Sequence, residues 1–449
     1  MTKTAKDVLL EPVLIVGFGV SGQAVAKKLY EQEVEFIVID DNPQAKVIEV
    51  ATSMGISVIQ PRDKIEFDEI IKKVGSIVVG PGIPSHHPIF STKGHEIMGE
   101  VELAWRISDV PTIAITGTNG KTTVTTLVTA MLQRSGFQAV AAGNIGTPFI
   151  KVANDNLDFI VLEVSSFQLF LTTTFKPVIG TWLNISPDHL DWHHTMQDYI
   201  QAKFNIWKAQ DIQDLAIANF DDEIVRSKVE LIKSKVVFFS TNPNNLGKSY
   251  CLDKGMLVNP NHQAIVEIDT LPRRLPHDLV NDLASIATAM EAGASLESCR
   301  EVLTEFNGLS HRVEFLGSYH DVKYFNDSKA TTPASVSAAL KGFDSVVLIA
   351  GGKNKGLSLE PLLEEASRLR HVVAIGEASS ELEKIFENIC PVVTAHSMDE
   401  AVNLASCYAK AGDSILLSPG CTSYDWYGSY VERGNDFSRA VRAQIGKEK

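Results

Sequence analysis

TIAITGTNGKTTVTTLVTAML, residues 112 to 132, decides how the rest of the chain is read. TIAIT is apolar or β-branched and reads as a strand; Gly117 and Gly120 supply turn positions; Lys121 opens a run with helical spacing. Strand, glycine turn and helix in that order suit a phosphate group, because the N–H groups at a helix N-terminus attract anions. The usual pattern begins with a glycine where this chain has Ile115, so the loop is short. Lys121 is placed to neutralise β and γ phosphate oxygens, and the Thr122 hydroxyl to meet Mg²⁺. The competing reading is an ordinary glycine turn with a surface lysine.

Outward from this loop, strand-like runs alternate with helical stretches: VLIVG (13 to 17), FIVID (36 to 40), SIVVG (76 to 80) and DFIVLEV (158 to 164). Alternation of this kind predicts parallel α/β layers. Between about 211 and 272, LAIAN, KVVFF, GMLV and QAIVEI crowd together with turn residues between them, which predicts a small antiparallel sheet. Helical spacing resumes over 279 to 305, and the α/β rhythm restarts with SVVLIAGG, HVVAIG and SILLSPG. These shifts predict three domains, 1–99, 100–308 and 309–449, in a chain of 449 residues that is too long for one core.

Composition excludes several classes. The charge of 41 basic against 55 acidic residues, −14, argues against a nucleic-acid partner, which would call for basic patches. No apolar run reaches the roughly 18 residues of a membrane span, and MTKTAKDVLL lacks a secretory h-region, so a cytoplasmic protein is expected. Cys251, Cys299, Cys390, Cys407 and Cys421 are scattered and read as reduced thiols.

In the first domain Gly17, Gly19 and Gly22 follow a strand, and Asp40 ends the next one, the spacing of a dinucleotide fingerprint. About 100 residues make only one mononucleotide half, so a nucleotide diphosphate fits better than NAD or flavin; a purely structural turn is the other reading. GPGIPS (80 to 85) follows a strand on the same edge and could close the pocket. Glu163, in LEVSSFQL, is a carboxylate in an apolar run, which suggests either a metal ligand or a partner for Ser165 or Ser166. Asp188, His189, Asp191, His193 and His194 crowd into NISPDHLDWHH, a solvated loop or a functional one. Lys203 lies four residues from both Tyr199 and Trp207, hence on the apolar face of a helix. Either its stem snorkels, or the amine is desolvated, loses its proton readily and can add carbon dioxide to give a Mg²⁺-ligating carbamate.

Together, TGTNGKTT, EVSSFQL, NISPDHLD, YIQAK, GLSHR, FNDSKATTP, GGKNKG and LLSPGCTSYDWYGSYVERG resemble the Mur ligases, ATP-dependent amino-acid ligases of peptidoglycan synthesis, over essentially the whole chain. SSFQL, NDSKAT and the tail most resemble the branch that adds D-glutamate to UDP-N-acetylmuramoyl-L-alanine. The resemblance implies a Rossmann-like first domain, a P-loop ATPase centre and a Rossmann-like C-terminal domain. Its loop is of the short form, so Ile115 is an expected occupant.

The resemblance also implies a site. Gly117, Thr118, Asn119, Gly120, Lys121, Thr122 and Thr123 would cradle ATP, with Asn281, Arg312, Asp327 and Lys329. Gly19, Val20, Ser21, Asp40, Asp41, Gly82, Asn144 and Ser165 would take the UDP substrate. Thr331, Lys355, Ser423 and Tyr430 would take D-glutamate, Tyr430 standing where phenylalanine is common. Thr122, Glu163, His189 and carbamylated Lys203 would hold two Mg²⁺ ions, and Lys121, Lys203, His189 and Glu163 would carry catalysis. In the adenine-facing segment, Asp278 replaces the usual asparagine, and an ionised carboxylate only accepts hydrogen bonds. A monomer is expected. Competing assignments are a folate polyglutamylating ligase, which needs no UDP-binding first domain; a diamino-acid-adding relative, whose DNPR-like stretch is missing; and an ATP-dependent scaffold.

Overall fold

The computed structural model describes residues 3–446, organised on three sheets. In the first, Val13–Val16, Phe36–Ile39, Val58–Ile59, Ser76–Val79 and Glu96–Gly99 pair in parallel, in the spatial order third, second, first, fourth, fifth. The order reverses beside Val13–Val16, so the loops leaving Val16 and Val79 flank the switch point where open α/β sheets take ligands. Helix Val20–Glu31 buries Ala24, Val25, Ala26 and Leu29, and packs against helices Glu100–Ile107 and Phe149–Val152.

The second sheet has nine strands. Ala139–Gly143, Phe159–Glu163, Thr112–Thr116, Ile179–Trp182, Leu215–Asn219, Lys235–Ser240 and Ser249–Asp253 run parallel in that spatial order; Met256–Val258 and Ala264–Glu267 complete it antiparallel. The antiparallel element expected over 211 to 272 is therefore the edge of this sheet and not a separate one. LAIAN and KVVFF belong to the parallel part because helix Glu223–Lys228 crosses between them and returns the chain in the same direction.

The first two sheets share one continuous apolar core, from Val13 and Ile15 through Val101 and Ala104 to Leu162 and Trp182. They accordingly fall in one packing unit, which holds the chain through Ile185, Trp192–Ile268 and Asn281–Leu303. Two carboxylates buried in its helix Glu100–Ile107 are satisfied by backbone: Glu100 accepts from Ile150 N–H at 2.7 Å, and Glu102 from the amides of Thr173, Thr174 and Phe175.

The other unit holds Ser186–Asp191, Asp269–Val280 and Thr304 onward. Its sheet orders Glu314–Tyr319, Val322–Asn326, Ser414–Gly420, Val346–Gly351, Leu369–Ile375 and Val392–Ala395, all parallel except the first pair. Among the described residues no helix is long and apolar enough to cross a membrane. The five cysteines are free, and Cys407 alone among them is exposed.

Candidate functional site

In the first sheet, Gly17 turns at φ +88°, and its N–H donates to Ile39 O at 2.8 Å. A Cβ at Gly22 would meet Gly17 O at 2.1 Å, so the third glycine is required for the helix to approach the turn. Gly19 caps helix Val20–Glu31, with Val20 exposed and Ser21 half-buried. Asp40 spans the turn: Oδ2 accepts from Phe18 N–H at 2.8 Å and Oδ1 from Asn42 N–H at 3.1 Å. Asp41 is exposed and pairs with His87 Nε2 at 3.0 Å; Gly82 faces open space.

The central sheet gathers its expected residues at the C-terminal ends of four adjacent strands. Gly120 adopts φ +85° and caps helix Lys121–Arg134, whose first turn carries Thr122 and Thr123. A Cβ at Gly120 would lie 2.3 Å from Asn281 Oδ1, so Asn281 stands directly over the phosphate loop. Lys121 Nζ donates to Gly117 O at 2.9 Å and Thr118 O at 3.0 Å. Asn184, on the neighbouring strand end, brackets Asn119: Oδ1 accepts from Asn119 N–H at 2.9 Å, and Nδ2 donates to Asn119 O at 3.1 Å. Sequence reasoning assigned Asn184 no role, although it opens the NISPDHLD motif.

Lys203, on helix Met196–Lys208, is 1% exposed, which agrees with its place on the apolar face. Its Nζ donates to Gly117 O at 2.8 Å and lies 4.8 Å over the Tyr199 ring. Glu163 is buried at its strand end. Oε1 accepts from Asn144 Nδ2 at 2.8 Å, whereas Oε2 has no partner. Ser165 commits its hydroxyl to a capping box with Gln168 and does not touch Glu163.

In the other unit, His189 has φ +56°, and its Nε2 lies 3.3 Å from Asp188 Oδ2. Lys355 Nζ donates to Asp188 Oδ1 at 2.7 Å. Burial works to raise the Asp188 pKa, but the charges of His189 and Lys355 hold it below the usual value. Asp278 is caged: Arg273 Nε and a terminal Arg273 nitrogen donate to Oδ1 at 3.1 and 2.9 Å, and Leu275 N–H donates to Oδ2 at 3.2 Å. The Asp278 carboxylate thus has its own cationic partner.

Three adjacent strand ends carry the C-terminal loops 327–331, 352–355 and 421–423. Arg312 sits between His311 (φ +64°) and Val313 (φ +45°), left-handed conformations that are costly for a β-branched residue and concentrate at functional positions. Asp327 accepts from Val313 N–H at 3.2 Å and Ser418 Oγ at 2.7 Å, and burial pushes its pKa up to about 7. Lys329 Nζ lies 3.8 Å over the Tyr430 ring; Thr331 is half-buried, and Ser423 is buried. The sequence pattern gives Arg433 no role of its own. It is 1% exposed and clasps two of these loops: Nε donates to Ser328 Oγ at 3.0 Å, and one terminal nitrogen to Ser328 O at 2.9 Å and Cys421 O at 3.1 Å.

Among the described residues no group of three or more His, Cys, Asp or Glu side chains gathers for a metal. What fits a Mg²⁺ ion is narrower: one unpartnered buried carboxylate oxygen, on the strand beside a Lys-Thr phosphate loop, a hard donor of the kind that ion takes together with phosphate oxygens and water.

A family model described as the Mur ligase middle domain matches residues 115–289, and one described as Mur ligase, glutamate ligase domain, matches residues 311–421. The chain is 36% identical over 440 residues to the UDP-N-acetylmuramoylalanine–D-glutamate ligase of Trichlorobacter lovleyi, covering 95% of this chain and 98% of the relative. It is 37% identical over 455 residues to the enzyme of that name from Shouchella clausii, covering 99% of each. Among solved structures, UDP-N-acetylmuramate-alanine ligase of Thermotoga maritima aligns with TM-score 0.60 at 16% identity, covering 96% of this chain and 99% of the other. The MurF ligase of the same organism, in complex with ADP, aligns with TM-score 0.59 at 15% identity, covering 100% and 99%. At those identities the two structures speak for the fold alone.

Proposed function

The chain belongs to the Mur ligase family, and from that membership we propose that it is the ATP-dependent ligase that joins D-glutamate to UDP-N-acetylmuramoyl-L-alanine in peptidoglycan precursor synthesis. The observation that carries this reading is the full-length likeness to ligases of that one specificity, which takes in all three sheets. The domains are read as 1–99 for UDP, 100–308 for ATP and 309–449 for the amino acid, in a monomeric cytoplasmic enzyme.

In this reading the L-alanine carboxylate attacks the γ phosphorus of ATP, ADP leaves, and an acyl phosphate forms. The D-glutamate amine then attacks the acyl carbon, and phosphate leaves as the amide forms. Lys121 sets its ammonium against the phosphate oxygens, and the amides of the 117–120 turn receive the anion. Asn281 and Arg312 orient the nucleotide, while Asp327 with Lys329 serves it from the C-terminal domain. Lys355, Ser423, Thr331 and Tyr430 hold the amino acid; Lys355 supplies the cation for a glutamate carboxylate. Gly19 to Ser21, Asp40, Asp41 and Gly82 receive the UDP group, and Asn144 and Ser165 lie along the rest of that substrate. Thr122, Glu163, His189 and a carbamate on Lys203 are the proposed metal ligands. Bound Mg²⁺ would supply charge neutralisation at the phosphoryl oxygens.

The test is product mass after incubation with ATP, Mg²⁺, UDP-N-acetylmuramoyl-L-alanine and D-glutamate. Gain of one glutamyl residue supports the reading; unchanged substrate alongside consumed ATP would leave a hydrolase or scaffold.

A further inference from the structure

We propose that Trp192 and His193 couple the two nucleotide-binding loops of this chain, a positioning role that rests on reading those loops as the UDP and ATP sites. The link starts at the first glycine turn. A Cβ at Gly17 would lie 3.0 Å from Ile83 Cδ1, so Ile83 sits on that turn. Ile83 O accepts from Trp192 Nε1–H at 3.0 Å, and Ser85 Oγ donates to Trp192 O at 2.6 Å. A residue more than 100 positions away in sequence is thus tied twice to the loop that follows the fourth strand of the first sheet.

From Trp192 the contact continues inward. Its indole packs edge-on against Phe167 and Phe170, both at 5.1 Å, and against the His193 ring at 4.6 Å. His193 is buried, with Nε2 2.9 Å from Ser166 Oγ, three residues beyond Glu163. Its ring lies 5.2 Å from that of Tyr199, and the Tyr199 hydroxyl is 3.1 Å from Thr118 Oγ1 in the phosphate loop. Lys203 Nζ stands over the same tyrosine ring.

Contiguity alone does not make coupling. Here both ends of the path are loops and not regular elements, several links are directional hydrogen bonds, and the inner members, His193, Tyr199 and Thr118, are buried. A close-packed interior passes a displacement on instead of absorbing it. Movement of the 80–85 loop around a diphosphate therefore reaches Thr118 through the rings of Trp192, His193 and Tyr199.

The experiment is calorimetric titration of the full chain with Mg²⁺ and a non-hydrolysable ATP analogue, with and without saturating UDP-N-acetylmuramoyl-L-alanine, and in the reverse order. Wild type is expected to show at least about fivefold mutual tightening, equal in both orders by linkage. Trp192→Phe keeps an aromatic ring and loses the N–H to Ile83; Ser85→Ala loses the second tie. In both variants each ligand alone still binds and the tightening falls toward one. No tightening in wild type, or tightening unchanged in both variants, overturns the coupling while leaving the functional reading intact. Failure of wild type to bind either ligand alone overturns the functional reading and the coupling with it.

Discussion

Asn144 Nδ2 donates to Glu163 Oε1 at 2.8 Å, which turns the other oxygen of this buried carboxylate toward no partner at all. A half-satisfied buried carboxylate is costly unless something else completes it, and beside a phosphate loop a divalent cation is the candidate. Glu163→Gln is expected to lower kcat by on the order of 10²-fold or more and to weaken Mn²⁺ binding measured by spin resonance in the presence of nucleotide. Full activity in that variant would remove Glu163 from the metal set.

Gly120→Ala places a Cβ 2.3 Å from Asn281 Oδ1, at a φ that costs an alanine about 1 to 2 kcal/mol. The variant should melt earlier than wild type and lose thermal protection by ATP. Retained protection would mean that the loop tolerates displacement of Asn281.

Asp278→Asn tests whether the departure from asparagine is structural. It leaves the Arg273 guanidinium without its carboxylate partner in a mostly buried setting, so a loss of about 3 kcal/mol in unfolding free energy is expected, with little change in KM for ATP. A large change in KM with unchanged stability would make Asp278 a nucleotide contact instead.

Two buried acids set a pH dependence. Burial pushes Glu100 from 4.5 and Asp327 from 3.8 up to about 7 each. Between those values the folded state holds protons that the unfolded state has released, so their contribution to stability is full below about pH 4 and is lost as pH rises toward about 7. Burial would raise Glu102 too, but hydrogen bonds from Thr174, Thr173 and Arg106 hold it below 4.5, so its own loss of stability falls at more acid pH. Denaturant unfolding from pH 5 to 8 should show the decline, and Glu100→Gln should flatten it by on the order of 3 kcal/mol. An unchanged slope would place the Glu100 pKa near its ordinary value.

Lys203→Ala should lose most activity, and short carboxylates such as acetate or formate should restore part of it if a carbamate is the working group. Its burial against Gly117 O makes the lysine integral to the loop in either case. Full activity without the amine would end the carbamate role.

Local pattern and nonlocal pairing were not equally legible in the sequence. The runs 13 to 17, 112 to 117 and 158 to 164 become strands because their order and flanking glycines are local information, and the spacing around Lys203 placed it correctly on a buried helix face. Pairing partners are not local: nothing in KVVFF or GMLV shows that they join the same nine-stranded sheet as the phosphate loop. Asp278 stood out as a departure, but its cage required knowing that Arg273 folds back five residues. Asn184 and Arg433 act through backbone carbonyls and amides of distant loops, and such contacts leave no spacing signature.

The most direct measurement is phosphate release from ATP with Mg²⁺ and UDP-N-acetylmuramoyl-L-alanine, run in parallel with D-glutamate, L-glutamate, L-lysine and no amino acid. Sustained release with D-glutamate alone is the expected result. Equal release in all four reactions would contradict the ligase account and, with it, the assignment of Thr331, Lys355, Ser423 and Tyr430 to the amino acid.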